Sequence, residues 1–414
     1  MEETLKPFPD SVPVAIVGAG LAGLACGRAL SRAGREVHVF EAASEIGGRM
    51  RTEVHREGFR LDVGFHVLLT GYPAVRRELD IGKLDLGVIE PGCVVARKGK
   101  LYPLSDSMDL LRLPFATLGD KLRLGRLRSA GRDRTPERAT MEHLRALGFS
   151  QKLIDALFVP LFGGVFLDRS LSNSARYFES LARSFLAGAV GIPARGIGAV
   201  PHQIAEGIPA EAIHTGCPDE SLSLEAGRLR GLTVRGQEVR ADALVLATGA
   251  AEAARLSGLP LPEFQSLGTT VVYFTTTRPP TDEKRLFFRA DPEGWTNHFA
   301  VLTNIAPALA PAGQHLLMGT ILGVPEMHEG AISEKIRQEM AYWFPHAGTH
   351  AWRWLRTYKM PNAQWAFPPG LAARLPQTRT PIGGLYLAGD YTREPSVEGA
   401  LGSGTDAAEA LLGG

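Results

Sequence analysis

Two kinds of hydrophobic pattern alternate along this chain, and their order is uneven. Residues 12–17 form an unbroken apolar run rich in Val and Ile, the pattern of a strand buried on both faces of a parallel sheet. Over residues 21–32 the apolar positions Leu21, Leu24, Ala25 and Leu30 recur at helical spacing, and 36–40 reads as a second strand. The same buried-strand pattern returns at 241–247 and at 385–388, where a helix follows through residue 412. The stretches between differ. Residues 76–194 are dominated by helical patterns, clearest at 141–147 and 151–158, whereas 263–370 holds strand-like runs at 269–276, 298–303 and 314–322 and a helix at 333–344.

This order predicts an α/β protein of two domains. A discontinuous parallel α/β domain takes residues 1–75, 195–262 and 371–414. An α+β domain, an antiparallel sheet covered by helices, takes 76–194 and 263–370, with a pocket at the junction.

The first strand runs straight into Gly18, and Gly18, Gly20 and Gly23 give the G-x-G-x-x-G spacing. In a strand–turn–helix unit these residues serve a tight turn, a close approach of backbone to pyrophosphate, and close packing of helix on strand. Leu21 and Ala22 then open a helix whose free N–H groups face the phosphates. Gly27 stands where such helices more often carry Ala, at a cost of up to about 1 kcal/mol. The second strand ends in Glu41, placed to accept hydrogen bonds from ribose hydroxyls. The residues alone therefore indicate a dinucleotide site. Next comes Glu45-Ile46-Gly47-Gly48-Arg49, with two glycines for close approach and an Arg able to pair with a phosphate oxygen. Near the other end, Gly389-Asp390 closes a strand and delivers a carboxylate, and Ser396-Val397-Glu398-Gly399-Ala400-Leu401 starts the last helix.

In these segments the chain resembles the flavin amine oxidase and carotenoid desaturase superfamily of FAD enzymes, well over roughly the first 75 and last 40 residues and faintly between. The resemblance implies a Rossmann-like domain holding non-covalent FAD. It assigns Asp390 to the ribityl chain and places Gly399 and Ala400 beside the flavin pyrimidine ring, where a positive helix end stabilises charge on reduced flavin. Thr248-Gly249, after the mid-chain strand, is similar to the return of the chain to the FAD domain. The adenine contact falls near Asp219, where the family usually has Val, and stays unassigned.

The segment 61–73, containing Gly64 and His66, is similar to plant- and cyanobacterial-type carotene desaturases and to hydroxysqualene-processing flavoenzymes. There the family's chain passes along the flavin, so Gly64 is a candidate cofactor contact and His66 a candidate contact to cofactor or substrate. A histidine satisfied within the core is the competing reading. The amine oxidase branch flanks its substrate with two aromatic rings, but this chain has Ser396 and Val397 at one place and Ala363 at the other. Asn362 stands where some members carry a flavin-tethering Cys. Trp365 and Phe367 are candidates for the pocket lining or for plain packing. The resemblance thus implies dehydrogenation of an apolar, isoprenoid-like substrate, carotenoid or squalene-type, by hydride transfer to flavin N5. Oxidation of a small amine with oxygen, and a flavoprotein without turnover, remain open.

Composition adds limits. With 45 Lys+Arg against 44 Asp+Glu, the net charge of +1 makes no case for nucleic acid. The three cysteines, Cys26, Cys93 and Cys217, are few and odd in number, which fits a reducing compartment and suggests no metal site. Residues 1–13 do not read as a secretory signal and no run is long enough to span a membrane, so a cytoplasmic protein is expected. One local exception is the basic amphipathic stretch 110–138, either a helical cap or a surface for an anionic membrane. The aromatic run 157–167, with Phe158, Phe162 and Phe166, either walls an apolar tunnel or is core.

Overall fold

The computed structural model describes residues 8–127 and 137–413. Its organising element is a strand of ten residues, Gln237–Leu246, which serves two partners at once. Its second half lies parallel to Ser11–Val17 and to Leu385–Leu387, and its first half pairs antiparallel with Arg228–Val234, which in turn pairs with Asp219–Glu225. His38–Phe40 and the short strand Ile213–His214 extend the parallel part on the far side of Ser11–Val17. In register, His214, Phe40, Val17, Leu246 and Leu387 form one row, so the carboxyl ends of five parallel strands stop at the same level. In open α/β sheets that edge is where ligands sit.

Two helices cover one face of this sheet, and small residues let them touch. Leu21–Arg32 packs on the closing helix Val397–Leu412 so closely that a Cβ at Gly404 would lie 2.2 Å from the Ala22 carbonyl oxygen. Gly27 has a packing reason too, since a methyl there would meet Ile208 Cδ1 at 2.8 Å. The architecture is the expected α/β, Rossmann-like one.

The second sheet has seven strands in the order Arg353–Trp365, Ser266–Thr276, His315–Leu322, His298–Val301, Phe287–Arg289, Cys93–Arg97, Lys100–Leu104. Period-two alternation divides its faces. Val272 and Phe274 face the helix Glu329–Trp343, packing with Ile336 and Met340, while Val271 and Tyr273 face the other way.

Three details differ from the pattern reading. The hairpin Cys93–Arg97/Lys100–Leu104 belongs to a stretch read as helical. It turns through Lys98 and Gly99, both at positive φ as a tight hairpin demands, without the usual Asn-Gly signature. Its pairing with Phe287–Arg289 is parallel, so the sheet is mixed. The strand predicted at 298–303 stops at Val301, where Leu302–Ile305 turns as a helix. The helical pattern at 151–158 also widens into a π turn at Ile154–Phe158, just before Pro160, whose missing N–H interrupts regular α-helical bonding.

Candidate functional site

Between the two sheets lies a cavity of 1790 Å³. That is well above the few hundred to about 1,000 Å³ of an ordinary ligand pocket, so there is room for a dinucleotide together with a second molecule.

The parallel sheet supplies one wall. Directly beyond its strand ends, Gly18, Glu41, Ala247 and Gly389 line the cavity. Gly18 has φ +102°, and a Cβ there would lie 2.8 Å from the Ala247 carbonyl oxygen, so the turn admits no side chain. Gly20 faces open space, and with Leu21 and Ala22 it lines the cavity. The helix that begins there has no side-chain cap and no acidic residue in its first turn. Its positive end and N–H donors are left for an anion. Gly23 does not line the cavity. A Cβ there would fall 1.9 Å from the Gly18 carbonyl oxygen, so its role is the close packing of helix on turn.

The Glu41 carboxylate is held by backbone donors, with Ala19 N–H to Oε2 at 2.7 Å and Ala43 N–H to Oε1 at 2.9 Å. Each oxygen keeps a lone pair for the cavity. Gly47 and Gly48 are at positive φ, and a Cβ on Gly48 would come 3.3 Å from Gly20 Cα, so this tract lies flat on the glycine turn. Arg49, which also lines the cavity, donates to Asp390 Oδ2 at 2.6 Å. The Gly-Gly-Arg tract suggested a phosphate oxygen as its partner; here it pairs with the buried carboxylate that follows the strand Leu385–Leu387.

At the closing helix, Ser396 Oγ accepts from Gly399 N–H at 2.9 Å. Ala400 lines the cavity and Gly399 does not: a Cβ on Gly399 would lie 2.1 Å from the Glu394 carbonyl oxygen, so close packing accounts for it. Glu398 turns away to accept from Ala74 N–H at 2.8 Å, capping the helix Pro73–Glu78. Ser403, which no motif indicated, accepts from Gly389 N–H at 2.9 Å and donates to the Ala400 carbonyl, tying strand end to helix.

Gly64, at φ +102°, and His66 line the opposite side, where Met360 Sδ would lie 2.7 Å from a Cβ on Gly64. His66 Nδ1 is buried without a partner, and burial, reinforced by the Arg49 cation, lowers its pKa to about 4. Asn362, Ala363 and Trp365 line the cavity, whereas Phe367 packs edge-on against Tyr177. The remaining wall is aromatic and aliphatic: Leu157, Phe158, Leu161, Phe162 and Phe185 all line it. Phe166 of the same run does not and is core. Tyr391 and His298 also line the cavity without having been singled out; Tyr391 directly follows Gly389-Asp390, and His298 opens a predicted strand. Pro218 and Thr248 line it as well.

The model of the flavin containing amine oxidoreductase family matches residues 21–412. The chain belongs to this family. It is therefore an oxidoreductase of a flavin-dependent class that acts on small molecules. Among curated relatives, a zeta-carotene desaturase from Synechocystis is 24% identical across 96% of this chain and 97% of its own length. A hydroxysqualene dehydroxylase from Rhodopseudomonas palustris is 38% identical over 82 residues, 20% of each chain. Among solved structures, an oxidoreductase from Methanosarcina mazei superposes with a TM-score of 0.77 at 21% identity, covering 97% of this chain and 100% of its own. Putrescine oxidase bound to putrescine gives 0.74 at 19%, covering 98% and 99%. At these identities the structures speak for the fold alone.

The family's flavin fits the residues present: an uncapped helix start beside a turn that excludes side chains, a ribose-type acceptor on backbone donors, and a buried carboxylate two strands away.

Proposed function

We propose that this family member binds FAD non-covalently and dehydrogenates an apolar, isoprenoid-like substrate of carotenoid or squalene type. The observation that carries this reading is the continuity of one cavity from the glycine turn to an aromatic wall with Phe158 and Phe162. FAD, rather than a shorter flavin, suits a site where Glu41 and Pro218 lie beyond the phosphate turn. Asn362 offers no nucleophile for tethering, and burial pushes the Cys93 thiol, which also lines the cavity, up to about 12, leaving it unreactive.

When bound, the flavin would accept the hydride, and the proton lost from the neighbouring carbon would leave to water at the open end of the cavity. The protein's own part is to orient the chain and exclude water, which the aromatic wall does without an acid–base pair. Arg49 and Asp390 neutralise each other across the cofactor side. His66 stays uncharged at neutral pH and adds no cation to the wall. Val397 and Ala363 line the cavity at the places where the amine oxidase branch carries its two aromatic rings.

Access fits a lipid. Val88 and Leu186 line the cavity and are exposed, marking its mouth. The helix Leu118–Leu127 sends Leu124 into the cavity wall and exposes Leu118 and Leu122 at 72% and 63%. With Arg112, Lys121 and Arg123 in the same stretch, this surface suits peripheral contact with an anionic membrane; residues 128–136 of the stretch lie outside the described residues. Among the described residues no helix is long and apolar enough to cross a membrane.

The deciding experiment is anaerobic reduction of the bound flavin, followed by loss of its visible absorption. Bleaching by isoprenoid lipids and not by amines is expected. Bleaching by amines alone would replace this reading with amine oxidation, and bleaching by nothing with a binding role.

A further inference from the structure

Beside the aromatic wall stands the side chain of a buried histidine, His298. His298 opens the strand His298–Val301, in register with Thr320 on one side and Phe288 on the other, on the face turned away from the helix Glu329–Trp343. It lines the cavity, is 6% exposed, and packs against the rings of Phe65 and Phe288 at 4.9 and 5.7 Å between centroids.

Its tautomer is fixed from behind. Arg169, a donor only, gives Nη1–H to Asn297 Oδ1 at 3.2 Å, so the amide nitrogen of Asn297 points the other way, donating to the Pro160 carbonyl at 3.1 Å and lying 3.3 Å from His298 Nδ1. The Thr320 hydroxyl also reaches Nδ1, at 2.8 Å. With Nδ1 an acceptor, the ring proton sits on Nε2. That atom is buried and has no hydrogen-bond partner. An orphaned N–H is costly, and Arg169, Asn297 and Thr320 act together to create this one. Gly164 belongs to the arrangement, because a Cβ there would lie 2.6 Å from Asn297 Nδ2.

We propose that His298 Nε2–H is the specificity donor of the site and hydrogen-bonds an oxygen carried by an otherwise apolar chain. The preferred substrate class is then an oxygen-bearing isoprenoid-like lipid, an alcohol or carbonyl compound, over the pure hydrocarbon. This rests on the apolar-substrate reading above.

The test titrates the flavin-loaded protein, without oxygen, with farnesol and with farnesene, and follows the shift of the flavin visible band. Farnesol is expected to bind roughly tenfold tighter, the effect of one well-made hydrogen bond with its desolvation. His298→Phe is expected to erase that preference while leaving farnesene binding within about twofold, and His298→Gln, whose amide nitrogen reaches the Nε2 position, to restore part of it. Equal affinities in the wild type overturn the proposal whether or not a variant folds, as does a preference that survives His298→Phe. In both cases lipid still binds, so the apolar-substrate reading stands. If neither lipid perturbs the band, that reading falls and this one with it.

Discussion

The parallel sheet meets the cavity with backbone, whereas the mixed sheet meets it with side chains. At the first, Gly18, Gly20, Gly47 and Gly48 strip the surface down to main chain, and the few side chains present, Glu41 and Asp390, are charged and held by partners. At the second, Phe288, Met360 and Trp365 stand on the sheet itself, the rings of Phe158, Phe162 and Phe185 come from helices, and one nitrogen each of His66 and His298 is left without a partner. The first wall suits a ligand of fixed shape and charge, read by N–H groups; the second suits a ligand defined mainly by its apolar volume.

Gly18→Val should break the contrast most completely. A Cβ 2.8 Å from the Ala247 carbonyl, at φ +102°, closes the turn. Flavin affinity should fall at least ~100-fold, about 2.7 kcal/mol, so the protein purifies without the visible flavin band; a yellow variant would show that the turn does not carry the cofactor. Glu41→Gln keeps the shape and removes the charge. FAD affinity measured by fluorescence quenching should drop by about 50-fold, and that for FMN, which lacks the adenosine ribose, should not change.

The other wall answers to pH. Burial holds the His298 pKa at about 3, below its unfolded value near 6.5. The unfolded chain therefore takes up this proton first, and stability is lost as pH falls from about 6.5 toward 3. Between pH 6.5 and 5 the loss is about 1.6 kcal/mol. Asp62, its pKa raised to about 6 by burial, acts in the opposite direction, so the useful quantity is a difference. Urea unfolding at the two pH values should show that His298→Phe loses less stability on acidification than the wild type by about that amount. The smallest effect belongs to the rim. Leu118→Asp with Leu122→Asp should leave flavin content unchanged and stability within about 0.5 kcal/mol, while lowering sedimentation with phosphatidylserine vesicles roughly tenfold. Unchanged sedimentation would make that helix a plain cap.

Much of the cofactor wall was legible because its requirements are local. A turn too tight for a side chain, a helix start and a strand-end carboxylate each occupy a few consecutive residues. The pairing of Arg49 with Asp390 was not legible, since 341 positions separate them. Neither was Ser403, which looks like any small helical residue until Gly389 is brought to it. The lysine–glycine turn that makes residues 93–104 a hairpin has no strong local signal, and its strands are stabilised by a partner at Phe287–Arg289 nearly two hundred residues later.

By itself the sequence determined an α/β chain with a dinucleotide-type turn, an acid after the second strand and a carboxylate near its end, because backbone geometry of this kind admits few residue types. Only the tertiary structure decided that these pieces share one edge and open onto an aromatic wall. It also decided that an otherwise ordinary histidine in a strand has one nitrogen engaged and the other unpaired. Those facts depend on which side chains meet across the two sheets, and contacts between distant segments leave no period or spacing in the chain.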